Sequence, residues 1–257
     1  SRLLLPPWCP DASCSARSCF HGRRKDDLND RVDHEHRREL RGLRVISSWI
    51  NDGDRRAANT LNMYVADAQG RRYIKHYLID MGATLGSSTV QPRTPKSGNE
   101  YFVDVRYIVP SIVGLGLYKR SWEEALPMKY LSVGYLESEI FHPGKWVTNY
   151  PNPAFQRCTN RDGYWGAKIV MEFRDGDIEA IVKSAQFPDA GAEAELIRLL
   201  KARRDKVGGY WFRRINTLDR FWMDRDGLHF EDIAVIGGLV SAGETRYRYR
   251  LLDRGGK

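Results

Sequence analysis

Apolar residues recur every three or four positions in several stretches of this 257-residue chain, which predicts a mainly helical fold. The first stretch runs from Val32 to Ile50, with Asp33 as the candidate N-cap. Three later stretches share this spacing: Asp162–Phe173, a stretch that runs through Val182 with Asp175 as its expected cap, and Ala192–Val207. Gly208 is expected to end the last of these helices.

Other stretches show the period of two that is typical of strands. Leu61–Val65 and Tyr73–Ile79 flank a polar turn at residues 67–70, which predicts a β-hairpin. Tyr101–Tyr118 begins with strand-like alternation, and a short element is expected over Asp219–Arg225. From Leu228 onward, the segments 229–240 and 245–253 alternate like two strands joined by residues 241–244.

The remaining stretches predict the domain organisation. Residues 1–30 are rich in Pro, Ser, Cys and Arg and indicate an irregular leader. Residues 87–99 and 141–157 predict irregular loops. The predicted fold class is therefore α+β and mainly helical, with a leader (1–30), a helical lobe with a small hairpin (31–225), and a β-hairpin or the start of a β-module (226–257).

The net charge of +8 and a pI near 9.3 favour anionic partners such as nucleotides. Four arginines cluster on the first predicted helix: Arg37, Arg38, Arg41 and Arg44. We interpret them as a solvated helix face, and a nucleic-acid partner is unlikely because no nucleic-acid-binding motif accompanies them. No apolar run reaches the ~20 residues of a membrane span. No targeting segment is visible, so cytoplasmic and exported locations both stay open, and the sequence does not predict an oligomeric state.

Two groups of metal-binding residue types lie near the beginning of the sequence. Cys9, Cys14 and Cys19 are five residues apart, a spacing that fits zinc poorly and favours disulfides or inert thiols. His34 and His36 are two residues apart and cannot share a helix face.

The candidate chemistry lies between Trp49 and Gly86. Asp54 follows a glycine after the first helix, Asn59 lies five residues later, and Asp80 ends the second predicted strand. Phosphoryl transfer requires one carboxylate to orient the attacking hydroxyl, and an amide oxygen and a second carboxylate to hold Mg²⁺ on the nucleotide. These three residues supply those groups in that order, although Gly, Asp and Asn also form such turns by chance.

This arrangement resembles the catalytic segment of the protein-kinase-like superfamily, in particular the Gly-Asp-x-x-x-x-Asn-x-Leu loop of aminoglycoside phosphotransferases and lipid kinases. Residues 24–221 also resemble a set of uncharacterised bacterial kinase-like proteins. The segment departs from the family pattern in three ways. Asp52 stands where those kinases have His, Met81 replaces Phe, and the interval from Asn59 to Asp80 is longer.

The resemblance implies a kinase-like C-lobe with a small hairpin and an N-lobe that is missing or rudimentary, because about 30 residues without a Gly-rich lid precede Val32. It also implies an ATP- and Mg²⁺-dependent phosphotransferase with an unknown hydroxyl acceptor. Asp54 would be the catalytic base. Neighbouring positive charge would keep its carboxylate ionised, and the candidates are Arg55, Arg56 and Lys75. Asn59 and Asp80 would bind the metal and the nucleotide.

Two other functions remain open at this point. The lobe could be a pseudokinase or scaffold without catalysis, consistent with the absence of a recognisable lid. Alternatively, Asp52, Asp54 and Asp80 could surround a metal in a phosphoesterase or nuclease, consistent with the positive charge and the additional aspartate.

Overall fold

The computed structural model describes residue 23 and the ranges 30–88, 90–115 and 117–250. Over these ranges the protein is mainly helical α+β, which confirms the predicted fold class. The helices are α1 (Arg38–Trp49), α2 (Val105–Val113), α3 (Pro153–Gln156), α4 (Asn160–Met171), α5 (Asp175–Ser184), α6 (Ala190–Phe212) and α7 (Ile233–Ile236). The strands are β1 (Thr60–Ala66), β2 (Arg72–Leu78), β3 (Leu218–Met223) and β4 (Leu228–Asp232).

The hydrophobic core lies where α4 packs against α1 on one side and α6 on the other, with α5 completing the α6 side. Val45 in α1, Val170 in α4 and Val207 in α6 are fully buried in this core. Trp49 packs beside them, and its indole nitrogen donates to the carbonyl of Leu200 at 2.9 Å. The end of α1 is therefore fixed in the core, and the loop that follows it starts from a rigid position.

Close helix packing depends on glycines. A Cβ atom on Gly166 would lie 2.5 Å from the carbonyl oxygen of Gly42 in α1, and one on Gly163 would lie 2.1 Å from the ring of Trp211 in α6. Neither contact is possible without movement of backbone or a large ring. Helix α4 therefore packs closely against α1 and α6 at glycine positions, where no side chain separates the helices.

Gly166→Ala is expected to destabilise the protein by about 1–3 kcal/mol, because the added methyl group forces α1 and α4 apart in a packed core. Gly176→Ala is the matched control. It lies in α5 with no atom within 4 Å of its Cβ position, so its alanine variant should be neutral or more stable by up to about 1 kcal/mol. Urea unfolding of both variants measures the difference, and equal stabilities would contradict this account of the α1–α4 contact.

The helix boundaries differ from the predictions in three places. Residues 34–36 form a 3₁₀ turn and α1 begins at Arg38, while Asp33 makes no capping hydrogen bond through its side chain. Asp175 is the first residue of α5 and not its cap. Gly208 lies inside α6, where a Cβ would meet the sulfur of Met171 at 2.5 Å, so this glycine serves helix packing and not helix termination.

The arginine cluster of α1 is only partly solvated, which corrects its interpretation as an exposed face. Arg41 pairs with the buried carboxylate of Asp162 at 2.8 Å. Arg44 donates to the carbonyls of Gly144 and Trp146, both at 2.9 Å. These two side chains bind α1 to α4 and to the segment before α3.

The first predicted hairpin is confirmed. Strands β1 and β2 pair antiparallel with Thr60 opposite Leu78, and the side chain of Asp67 accepts hydrogen bonds from Gln69 and Arg71 in the turn. The register places Ile79, the residue after β2, next to Asn59, the residue before β1. The amide of Ile79 donates to the carbonyl of Asn59 at 3.0 Å.

Two predicted strand regions were wrong. Tyr101–Tyr118 contains helix α2, whose first turn is capped by the side chain of Asp104 through the amide of Arg106. Near the other end of the described chain, β4 pairs with β3 and not with residues 245–250. The side chain of Asp232 ends β4 by capping α7, so residues 233–236 are helical where a strand was expected.

Some predictions fall beyond the described ranges or stay open. Residues 1–22 and 24–29 lie outside those ranges, as do the predicted leader and Cys9, Cys14 and Cys19 within it. The β3–β4 hairpin includes residues on both sides of position 225, and the proposed domain division stays a prediction.

Candidate active site

The loop between α1 and β1 turns sharply at the end of the core. Asn51 has a φ of 52°, and the amide of Asp52 donates to the carbonyl of Ser47 at 2.8 Å. The side chain of Asn51 accepts from the indole of Trp146 at 2.8 Å, which holds this turn. The following residues therefore leave the helix at a defined angle.

The side chain of Arg55 is fully buried and joins the parts of the site. Its Nε donates to the carboxylate of Asp52 at 2.6 Å. Its Nη1 donates to the carbonyls of Asn59 at 2.7 Å and Ile79 at 2.9 Å, and its Nη2 lies 3.4 Å from the carbonyl of Asp80. One guanidinium thus holds the loop after α1, the start of β1 and the end of β2 together.

Asn59 is buried and contacts Asp54 through its amide nitrogen. Its Nδ2 donates to the backbone carbonyl of Asp54 at 2.7 Å and to the carboxylate at 3.2 Å. The amide oxygen is therefore the atom that Asn59 can offer to a cation. The other carboxylate oxygen of Asp54 lies 3.4 Å from Nε of Arg56.

Asp80 follows β2 and is exposed. Its φ of 55° is unusual for a residue with a side chain, and such strain is frequent at functional sites. The carboxylate makes one weak contact within its own turn, accepting from the amide of Gly82 at 3.4 Å. Its oxygens are therefore available to a ligand, and the backbone pairing of Ile79 with Asn59 places this turn beside Asn59.

Asp52 supports the loop through its contact with Arg55. The residue is 2% exposed, and one of its oxygens is bound by Arg55, while the other is buried without a hydrogen-bond partner. Burial raises the pKa of this carboxyl above its usual value, and the charge of Arg55 opposes that shift. Asp52 thus holds the arginine that supports the loop.

Among the described residues, Asp33, Glu35 and His36 form the one group of three acidic, His or Cys ligands within 4.8 Å of one another. Asp52, Asp54 and Asp80 do not form such a group. His34, which the sequence places beside this cluster, is buried and hydrogen-bonded to Asp30 at 2.6 Å.

Arg93 is a site residue that the sequence pattern did not reveal. Its Nη1 lies 3.4 Å from the position that a Cβ of Gly53 would occupy, next to Ser97 Oγ and Asn149 Oδ1 at 3.1 Å each. Burial lowers the pKa of Arg93, and the neighbouring charges of Asp54 and Asp52 oppose that shift. No spacing rule could identify it, because it belongs to the irregular segment 87–99.

The cations near Asp54 differ in part from those that the sequence predicted. Arg56 contacts its carboxylate, whereas Arg55 binds Asp52. Lys75 lies over the ring of Tyr77, with its ammonium 5.1 Å from the ring centroid. Arg93 supplies additional positive charge beside Gly53.

The chain matches no family model, no curated protein and no solved structure. Within the described ranges, no helix combines the length and the apolar character needed to span a bilayer. The geometry around Arg55 is therefore the main structural indication of function.

Proposed function

We propose that this protein is an ATP- and Mg²⁺-dependent phosphotransferase of the kinase-like type, acting on a hydroxyl acceptor. The observation that supports this most is the position of Arg55, which binds the carbonyls of Asn59 and Ile79 and so holds the backbone of one candidate metal ligand, Asn59, beside the residue before the other, Asp80. In this proposal, α1, the loop after it and the β1–β2 hairpin form the catalytic part of a kinase-like C-lobe.

Each polar side chain then has one role. The amide oxygen of Asn59 and the carboxylate of Asp80 suit Mg²⁺, which prefers oxygen ligands, and the ion would neutralise the phosphates of ATP. Asp54 orients the acceptor hydroxyl and accepts its proton as the oxygen–phosphorus bond forms and ADP leaves. Its hydrogen bond from Asn59 keeps the base and the metal ligand in one unit.

The alternative of a phosphoesterase with three aspartates has less support. It would require Asp52 to face a metal together with Asp54 and Asp80, yet one oxygen of Asp52 is bound by Arg55 and the three carboxylates do not lie within 4.8 Å of one another. A pseudokinase would keep the same geometry without turnover, so activity separates it from the proposed enzyme.

ADP release from ATP is the direct test of turnover. We expect slow ADP release in the presence of Mg²⁺, with water replacing the acceptor, and none in EDTA. ATP binding without any ADP release, with or without a panel of sugar, lipid and peptide hydroxyls, would instead support the scaffold function.

A further inference from the structure

A small cavity adjoins the candidate catalytic loop. Its volume is about 190 Å³, and Arg93, Ser97 and Asn149 line it. The same three side chains surround the Cβ position of Gly53, the residue between Asp52 and Asp54. Since Gly53 carries no side chain, these three lining side chains can approach the backbone directly before the proposed catalytic base.

The cavity contains several hydrogen-bond donors. Arg93 uses its Nε on the carbonyl of Ser87 at 3.0 Å, and its Nη1 lies beside Gly53. Ser97 Oγ is buried without a hydrogen-bond partner. The ammonium of Lys96, a third lining residue, donates to the carbonyl of Phe102 at 3.2 Å and can donate further.

Glu100, the acidic residue of the lining, is already bound by other groups. Its carboxylate lies 2.8 Å from the indole nitrogen of Trp122 and 3.2 Å from Nε of Arg120, and it is 3% exposed. Lys96 is farther away, at 3.7 Å. Trp122 and Arg120 contact one carboxylate oxygen of Glu100, and Lys96 is the cation nearest the other oxygen. The ammonium of Lys96 has further donors, so it and the guanidinium of Arg93 can bind an anion.

We propose that this cavity binds the phosphate group of a small phosphorylated alcohol, whose free hydroxyl is the acceptor oriented by Asp54. A guanidinium, an ammonium and a hydroxyl converging on one cavity match a group that accepts hydrogen bonds on several oxygens. The assignment of this ligand as the acceptor rests on the proposed phosphotransferase function, whereas the binding of phosphate does not.

Calorimetric titration of glycerol 3-phosphate without nucleotide or Mg²⁺ tests the site. We expect binding by the native chain and no binding of glycerol. Arg93→Gln should weaken binding by at least about tenfold, since it removes a charged donor, and Arg93→Lys should recover part of the affinity. Arg71→Gln is the matched control: it makes the same charge change at an exposed arginine and should bind normally.

Lys96→Gln and Ser97→Ala give a second measurement if Arg93→Gln does not fold. Ser97→Ala should leave stability unchanged, since its hydroxyl has no partner, and both variants should bind glycerol 3-phosphate more weakly. No binding by the native chain, or equal binding by all variants, would overturn the proposal.

Nucleotide titrations separate this inference from the proposed function. Glycerol 3-phosphate and MgATP should bind together, and Asp80→Ala should leave glycerol 3-phosphate binding unchanged. Competition between the two ligands would assign the cavity to the nucleotide and overturn its role as an acceptor site. Phosphate binding through Arg93 without any nucleotide binding would preserve the site and contradict the phosphotransferase.

Discussion

Arg55→Ala is expected to destabilise the protein by about 3–5 kcal/mol, because it breaks a buried ion pair and leaves the other charge without compensation. The variant would keep Asp52 buried while removing the partner that opposes the upward shift of its pKa. The carbonyls of Asn59 and Ile79 would lose the same guanidinium. Urea unfolding of the variant and of the native chain gives the difference directly.

Arg71→Ala is the control for this experiment. Arg71 also pairs with an aspartate, Asp67, at 2.6 Å, but its side chain is 79% exposed. Removing an exposed pair should cost at most about 1 kcal/mol. If both variants lose equal stability, the buried contacts of Arg55 do not hold the site together.

Asp54→Asn is expected to lower turnover by about 10²–10⁴-fold while nucleotide affinity stays within a few-fold of native. The substitution keeps the shape of the side chain and the hydrogen bond from Asn59 to the backbone carbonyl, but it removes the proton acceptor. Because Asp54 is not a proposed metal ligand, MgATP should bind the variant normally. Steady-state ADP release and calorimetry, measured on the same preparation, separate the two effects.

Asp52→Asn is the internal comparison for Asp54. It weakens the pair with Arg55, so stability should fall, but turnover of the folded protein should change only mildly. Loss of turnover in Asp52→Asn together with normal turnover in Asp54→Asn would reject the phosphotransferase and support the metal-dependent phosphoesterase.

Local patterns predicted the elements that position the site. The period near 3.6 before Ile50 predicted α1, and the alternation around residues 67–70 predicted the β1–β2 hairpin that carries Asp80. Both features depend on residues adjacent in sequence. The pairing of these strands also brings the backbone of Asn59 beside Ile79, the residue before Asp80.

The errors have local and distant causes. Tyr101–Tyr118 alternates at first like a strand, but the side chain of Asp104 caps a helix there through the amide of Arg106, two residues away. The other errors arise where contacts distant in sequence decide the structure. Gly208 is a typical helix terminator, yet its packing against Met171 keeps it inside α6. Arg93 reaches the site because its segment folds back onto Gly53, 40 residues earlier in the sequence. Sequence periodicity contains no information about such contacts.

Magnesium-dependent ATP binding by Asp80→Ala is the most direct test of the proposed site. The carboxylate of Asp80 makes only a weak contact within its own turn, so the variant should fold and unfold like the native chain. Calorimetric titration should show that the native chain binds ATP with Mg²⁺ and that the variant does not. Equal binding by the two proteins, or native binding that is the same in EDTA, would contradict the assignment of Asn59 and Asp80 as the metal site.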